Sequence, residues 1–145
     1  MVARNNINVV RRLFDFFNRN DPTNLHVLDE LLAHHVQLHD PAVHDAKVGL
    51  EGMKQAEVNY FKAFPHKVTT IDDILAADDV VTVRWTVTGK HDGPFQGMAP
   101  THRQFKISGI SIYRIANGKI TEIWQQWDRL GLLEQLGAFH AAHAH

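Results

Sequence analysis

Apolar side chains recur along this chain with two different periods, and the change of period divides it. Ile7, Val10, Leu13, Phe14 and Phe17 fall three and four apart, a spacing that puts side chains on one face of a helix. "NDPTN" then breaks the pattern. Leu25, Leu28, Leu31 and Leu32 predict a short second helix with an apolar stripe. "VQLHD", from Val36 to Asp40, alternates and stops at Pro41, which predicts a short strand. After a loop to Gly49, the residues Leu50, Met53, Tyr60, Phe61 and Phe64 mark a third helix that Pro65 closes.

Beyond Pro65 the period becomes two. "KVTTIDDILA" predicts a strand with "ADD" as its turn. "VVTVRWTVTGKH" puts Val81, Val83, Trp85 and Val87 on one face and Thr82, Arg84, Thr86 and Thr88 on the other. The long loop "DGPFQGMAPTH" leads to the strand "QFKISGISIYRIA". Asn117-Gly118 is a strong hairpin signal, because a type I′ turn needs positive φ at both central positions. "KITEIWQQWD" returns beside its partner, and Arg129 to Gly137 form a last helix. Helices followed by an antiparallel meander predict an α+β fold, with helices packed on one face of a curved sheet. Residues 1–137 are expected to form one domain and 138–145 a disordered tail.

An unbulged two-residue turn sets a register in which Tyr113 pairs with Glu122, Ser111 with Trp124, Gly109 with Gln126 and Ile107 with Asp128. One face of the hairpin then carries Gly109, Ser111, Tyr113, Trp124, Gln126 and Asp128. Bulky aromatics, a gap at Gly109 and single polar groups are how ligand pockets are built. Asp128 has two readings: it precedes a helix and can cap it, or it is a carboxylate inside a pocket. The other face, with Ile110, Ile112 and Trp127, is also apolar and suits a second copy of the chain, so a homodimer is expected.

Composition narrows the chemistry. Cysteine is absent, which excludes disulfides and thiol catalysis, and the net charge of -1 offers no basic surface for nucleic acid or anionic membrane. No apolar run approaches a membrane span, and the N-terminus does not read as a secretory signal, so a cytoplasmic location is expected. His34, His35, His39 and His44 cluster, but no carboxylate-rich element joins them, and no metal site is expected. His140, His143 and His145 fall in the Ala-rich tail. His91 and His102 flank the long loop and are candidates for a pocket rim.

The pieces "VTGKHDGPFQGMAPTHRQ", "GISIYRIANGKITEIW" and "DRLGLLEQLG", with the earlier "LHDP" and "GLEGMKQ", make the chain resemble the SnoaL-like polyketide cyclases of the NTF2-like superfamily. The resemblance implies a cone-shaped fold in which a curved antiparallel sheet and its helices enclose a pocket. It also implies a homodimer and cofactor-independent chemistry without metal. The reaction implied is an intramolecular aldol closure of a polycyclic or carbonyl-bearing small molecule, with a pocket aspartate as acid and base. Asp128 stands at the matching position, with His39 of the "HDP" motif beside it as a catalytic candidate. Trp124, Gln126, Gly109, Ser111, Tyr113, His91 and His102 are then the substrate-binding candidates. Two departures fall on the pocket rim: Gly89-Lys90-His91 stands where the family often has Gly-Thr-His, and Pro100-Thr101-His102 where it often has Pro-Thr-Gly. A ketosteroid-isomerase-like proton shuttle, with Tyr113 as donor to an oxyanion, and a non-catalytic binding domain are the alternatives on this scaffold.

Overall fold

A computed structural model describes residues 2–42 and 48–138. Helix α1 (Val2–Arg19) sinks Val10, Leu13, Phe14 and Phe16 into the core and leaves its arginines outside. Asn20, with φ of 51°, ends it, and its side-chain amide donates to the Lys67 carbonyl at 2.9 Å. Asparagine tolerates this left-handed backbone, which suits it to a helix end. A single 3₁₀ turn, Pro22–Asn24, leads to α2 (Val27–Leu31). Strand β1 runs over Leu32–His39, longer than expected. Leu32 opens this strand instead of closing the helix, because it pairs with Ile120 at the sheet edge. Helix α3 (Gly49–Ala63) then precedes β2 (Val68–Ala77), β3 (Val80–Lys90), β4 (Gln104–Ala116), β5 (Lys119–Trp127) and α4 (Arg129–Gln135).

The five strands lie in the order β1-β5-β4-β3-β2. β2 to β5 form the expected antiparallel meander, while β1 joins its edge parallel to β5. The helices cover one face of this curved sheet. One apolar cluster joins α1, α2 and the early part of α3 to Val81, Val83, Tyr113, Ile115 and Ile123. A second joins Phe64, Phe95, Phe105 and Ile107 to Leu132 and Leu133 of α4 and to Leu136, which follows it.

The hairpin turn has the required positive φ, 54° at Asn117 and 78° at Gly118. The register beyond it differs from the unbulged one. Ala116 pairs with Lys119 and Ile115 with Ile120, but Arg114 pairs with Glu122, so Thr121 is an extra residue on β5. A bulge of one residue turns every later side chain of that strand to the opposite face. Gln125 therefore pairs with Ser111, and Trp127 with Gly109, on the helix-covered side. Trp124 and Gln126 point away from it, next to the exposed Ile110 and Ile112.

Gly109 explains itself across β3. A Cβ there would lie 2.5 Å from Cζ2 of Trp85 and 2.8 Å from the Gln126 carbonyl oxygen. The Trp85 ring lies across the space that the missing side chain leaves open. Among the described residues no helix is long and apolar enough to cross a membrane.

Candidate active site

A cavity of about 150 Å³ opens between the helices and the inner sheet face, and both apolar clusters contribute to its wall. Aromatic rings dominate it: Phe14 and Phe17 of α1, Tyr60 and Phe64 at the end of α3, Trp85, Phe95, Phe105, Tyr113 and Trp127. The polar groups on this wall are few, namely Glu57, Lys67, Thr69, Ser111, Gln125 and the two tyrosine hydroxyls.

Glu57 is the chemically distinctive one. It sits on the inward stripe of α3, in line with Leu50, Met53, Phe61 and Phe64, so the helix carries its carboxyl into the core. The residue is 6% exposed, and its Oε2 has no hydrogen-bond partner among the described residues. Burial without a compensating bond disfavours the charged form. The carboxyl is pushed up to about 7, with desolvation as the main cause and the nearby Lys67 charge pulling weakly the other way. Burial lowers the Lys67 ammonium correspondingly. That ammonium donates to the Phe17 carbonyl at 3.3 Å and to Asn20 Oδ1 at 3.2 Å, and lies 4.5 Å above the Phe61 ring. Lys67 is thus tied to the end of α1.

Tyr113 faces the same cavity, beside the hydrogen-bonded pair Trp85 and Ser111. The Trp85 indole N–H can only donate, and it donates to Ser111 Oγ at 2.9 Å. The neighbouring Ser111 hydroxyl draws the Tyr113 phenol toward ionisation. Desolvation outweighs it and, together with the neighbouring Glu57 charge, raises the phenol above its ordinary range. Tyr113 therefore stays protonated and keeps an O–H to donate.

A second network fixes the neighbouring strand of the same sheet face. Asp40, 6% exposed, accepts from the Gln125 amide at 2.5 Å and from the Trp127 indole at 2.9 Å and 3.1 Å. The Ala42 backbone N–H also donates to it, at 2.7 Å. With its NH₂ group turned to Asp40, Gln125 is left to present its carbonyl oxygen elsewhere.

The expected site residues divide. Ser111 and Tyr113 line the cavity, whereas Gly109 lies beneath Trp85 and is not part of the lining. Asp128 does not face inward: it is exposed and caps α4, accepting the Gly131 N–H at 2.9 Å. The bulge at Thr121 accounts for this reversal and for the outward turn of Trp124 and Gln126. His39 is also on the outer face, where its Nε2 lies 2.6 Å from Glu122 and its ring stacks on Trp124. His91 is fully buried but outside the cavity wall, with Nδ1 accepting the Thr101 N–H at 3.2 Å and its backbone N–H donating to Arg103. Burial lowers its tendency to take a proton. His102 is exposed and pairs with Asp92 at 2.9 Å. These two histidines pin the ends of the long loop, and Phe95 is the loop residue that reaches the cavity.

The carboxyls and indole brought together here, Glu57, Asp40 and Trp127, are not among the sequence candidates. Glu57 had a signal, a lone charge at an inward position of an apolar helical stripe. Asp40 is one residue past His39 in the "HDP" motif. Trp127 was placed on the wrong face by one residue of register. His44 and the tail histidines lie outside the described residues. Among the described residues no three His, Cys, Asp or Glu side chains gather closely enough to hold a metal ion.

Residues 7–136 match the SnoaL-like polyketide cyclase family. The chain belongs to this family. No curated protein matches it in sequence. Among solved structures similar to this SnoaL-like chain, TsrD from Streptomyces laurentii is 28% identical, with a TM-score of 0.82 over 95% of this chain and 98% of that one. IdmH from Streptomyces antibioticus, provisionally described as a polyketide cyclase, is 27% identical, with a TM-score of 0.76 over 91% and 98%. A SnoaL-like protein of Jannaschia sp. CCS1 shares 22% identity and the fold, with a TM-score of 0.86 over 94% of each chain.

The raised carboxyl has a consequence for stability. Between the unfolded value of 4.5 and the folded value of about 7, the native state holds a proton that the unfolded chain has released. Stability therefore falls as pH rises through this window, by up to about 3 kcal/mol once both states are ionised. Glu57→Gln removes this penalty. We expect the variant to unfold at higher denaturant than wild type at pH 8, with the difference shrinking toward pH 4.5. A difference independent of pH would contradict the assignment.

Proposed function

We propose that this SnoaL-like protein is an acid/base catalyst acting on a carbonyl-bearing small molecule held in the aromatic cavity. Glu57, not Asp128, is the proton-transferring group. The observation that carries this reading is a desolvated carboxyl on the cavity wall with an affinity for protons near neutral pH. A general base works best when its pKa lies near the working pH.

The steps follow from the wall. Ionised Glu57 takes a proton from a carbon next to a carbonyl, and the electron pair moves onto the carbonyl oxygen. Tyr113 donates its hydroxyl hydrogen bond to that oxygen, where negative charge develops. In an aldol closure the enolate carbon attacks a second carbonyl of the same molecule. One carbon–carbon bond forms, and the new alkoxide recovers the proton from Glu57. The aromatic walls hold the two ends together, which makes the attack intramolecular and favoured. The same pair would serve a simple isomerisation if the proton returned to a different carbon, and product analysis separates the two outcomes.

We further propose that the protein works as a homodimer through its outer sheet face. Ile110 and Ile112 are 48% and 36% exposed there, beside Trp124 with its stacked His39. Large apolar side chains left in water on one sheet face favour pairing with a second copy. The Ile110→Lys, Ile112→Lys double variant is expected to sediment as a monomer with unchanged circular dichroism. A wild-type chain that sediments as a monomer would refute this assembly.

Proton abstraction can be followed without knowing the natural product. In D₂O, exchange of the acidic C–H protons of small β-diketones, read by proton NMR, reports enolate formation directly. Glu57→Gln is expected to slow the catalysed exchange by roughly 10²- to 10⁴-fold. Tyr113→Phe is expected to slow it less, and Asp128→Asn to leave it unchanged with little effect on stability, because asparagine caps a helix as well as aspartate. The wild-type rate should rise with pH and level off above about 7. Undiminished exchange in Glu57→Gln, or loss of exchange in Asp128→Asn, would overturn the assignment.

A further inference from the structure

The cavity limits what can enter it. An apolar cavity of about 150 Å³ is the size that takes up a benzene molecule. Each further fused ring lengthens the flat system and adds to the volume it must occupy. What makes the space small is a fixed wall. Trp85, Gly109 and Trp127 lie on one rung of the sheet, in adjacent strands β3, β4 and β5. Because Gly109 has no side chain, the Trp85 indole lies across β4 at this rung, in contact distance of the backbone. The bond from its N–H to the buried Ser111 holds it there. Phe64, Phe95 and Phe105 close the other side, with ring centroids 5.1 Å and 4.9 Å apart across Phe64. Phe95 is itself held by a backbone bridge to Met98. Side chains packed against one another this way do not move aside without cost.

We infer that the substrate is a one-ring β-dicarbonyl compound, and that Trp85 lying over Gly109 sets the upper limit on ring number. The flat ring enters between Trp85 and the phenylalanine cluster, and the dicarbonyl arm meets the polar groups of the wall. The ring is recognised by its faces and the arm by Glu57 and Tyr113. This rests on the reading of the cavity as the place of proton transfer, but it makes a claim about size that the catalytic test does not address.

Calorimetric titration with benzoylacetone, naphthoylacetone and anthroylacetone, which carry one, two and three fused rings on the same arm, tests it. The titrations use Glu57→Gln, in which binding is read without turnover, and wild type. Affinity is expected to fall about tenfold with each added ring, the effect of overfilling a packed site by 1–2 kcal/mol. In Trp85→Ala, naphthoylacetone is expected to bind at least as tightly as benzoylacetone. Trp85→Phe, a smaller change, should fall between, and circular dichroism shows whether each variant is folded. Anthroylacetone binding wild type as tightly as benzoylacetone would overturn the inference. So would no binding of benzoylacetone, or a ring preference unchanged in both Trp85 variants. If the ring order holds while exchange does not depend on Glu57, the size limit stands and the catalytic reading fails. The opposite pattern keeps the catalyst and removes the limit.

Discussion

The cost of taking one carboxyl group out of water governs this site. Glu57 is carried into an aromatic cavity by the packing of α3, and its buried oxygen has no donor among the described residues to repay the lost hydration. In most buried acids a backbone N–H or an arginine would hold the charge and keep the group inert. Here Glu57 Oε2 has no such partner among the described residues, and the nearby Lys67 charge pulls only weakly. The result is a group poised to accept and return a proton near neutral pH, at an expense in stability that the rest of the core must cover.

The remaining polar groups make sense as support for that one. Asp40 is also buried, but it accepts from three different donors, Ala42, Gln125 and Trp127, and so orients the wall. Burial leaves Tyr113 with a proton to give. Two buried carboxyls in one fold thus take opposite roles, decided by how many hydrogen bonds each receives. The exposed Asp128 takes a third role, closing the first turn of α4.

Much of the architecture was legible in the sequence because its signals are periodic. The apolar spacing in α1 and α3, the alternation in β3 and β4, and the Asn117-Gly118 turn all agree with the structure. Leu32 was misplaced because its hydrophobicity suits the end of a helix and the start of a buried strand equally. The site was harder to read, for a specific reason. Thr121 is an ordinary strand residue, and nothing in its side chain announces a bulge, yet that bulge decides which residues of β5 face inward. On β4 the alternation puts Ser111 and Tyr113 on the cavity side, as in the structure, while beyond the bulge Trp124, Gln126 and Asp128 are reversed. Glu57 was visible in principle, as a charge interrupting the stripe of Leu50, Met53, Phe61 and Phe64. His39 drew attention away from Asp40, which occupies the next position and points the other way.

The central claim is the state of one side chain, and it can be measured without any ligand. Infrared spectra of the protein labelled with ¹³C in its glutamate carboxyls, taken as wild type minus Glu57→Gln across a pH titration, isolate the Glu57 band. The account predicts a protonated-carboxyl band that disappears with a midpoint at about 7. A band already lost near pH 4.5, the ordinary value for a solvated glutamate, would contradict it.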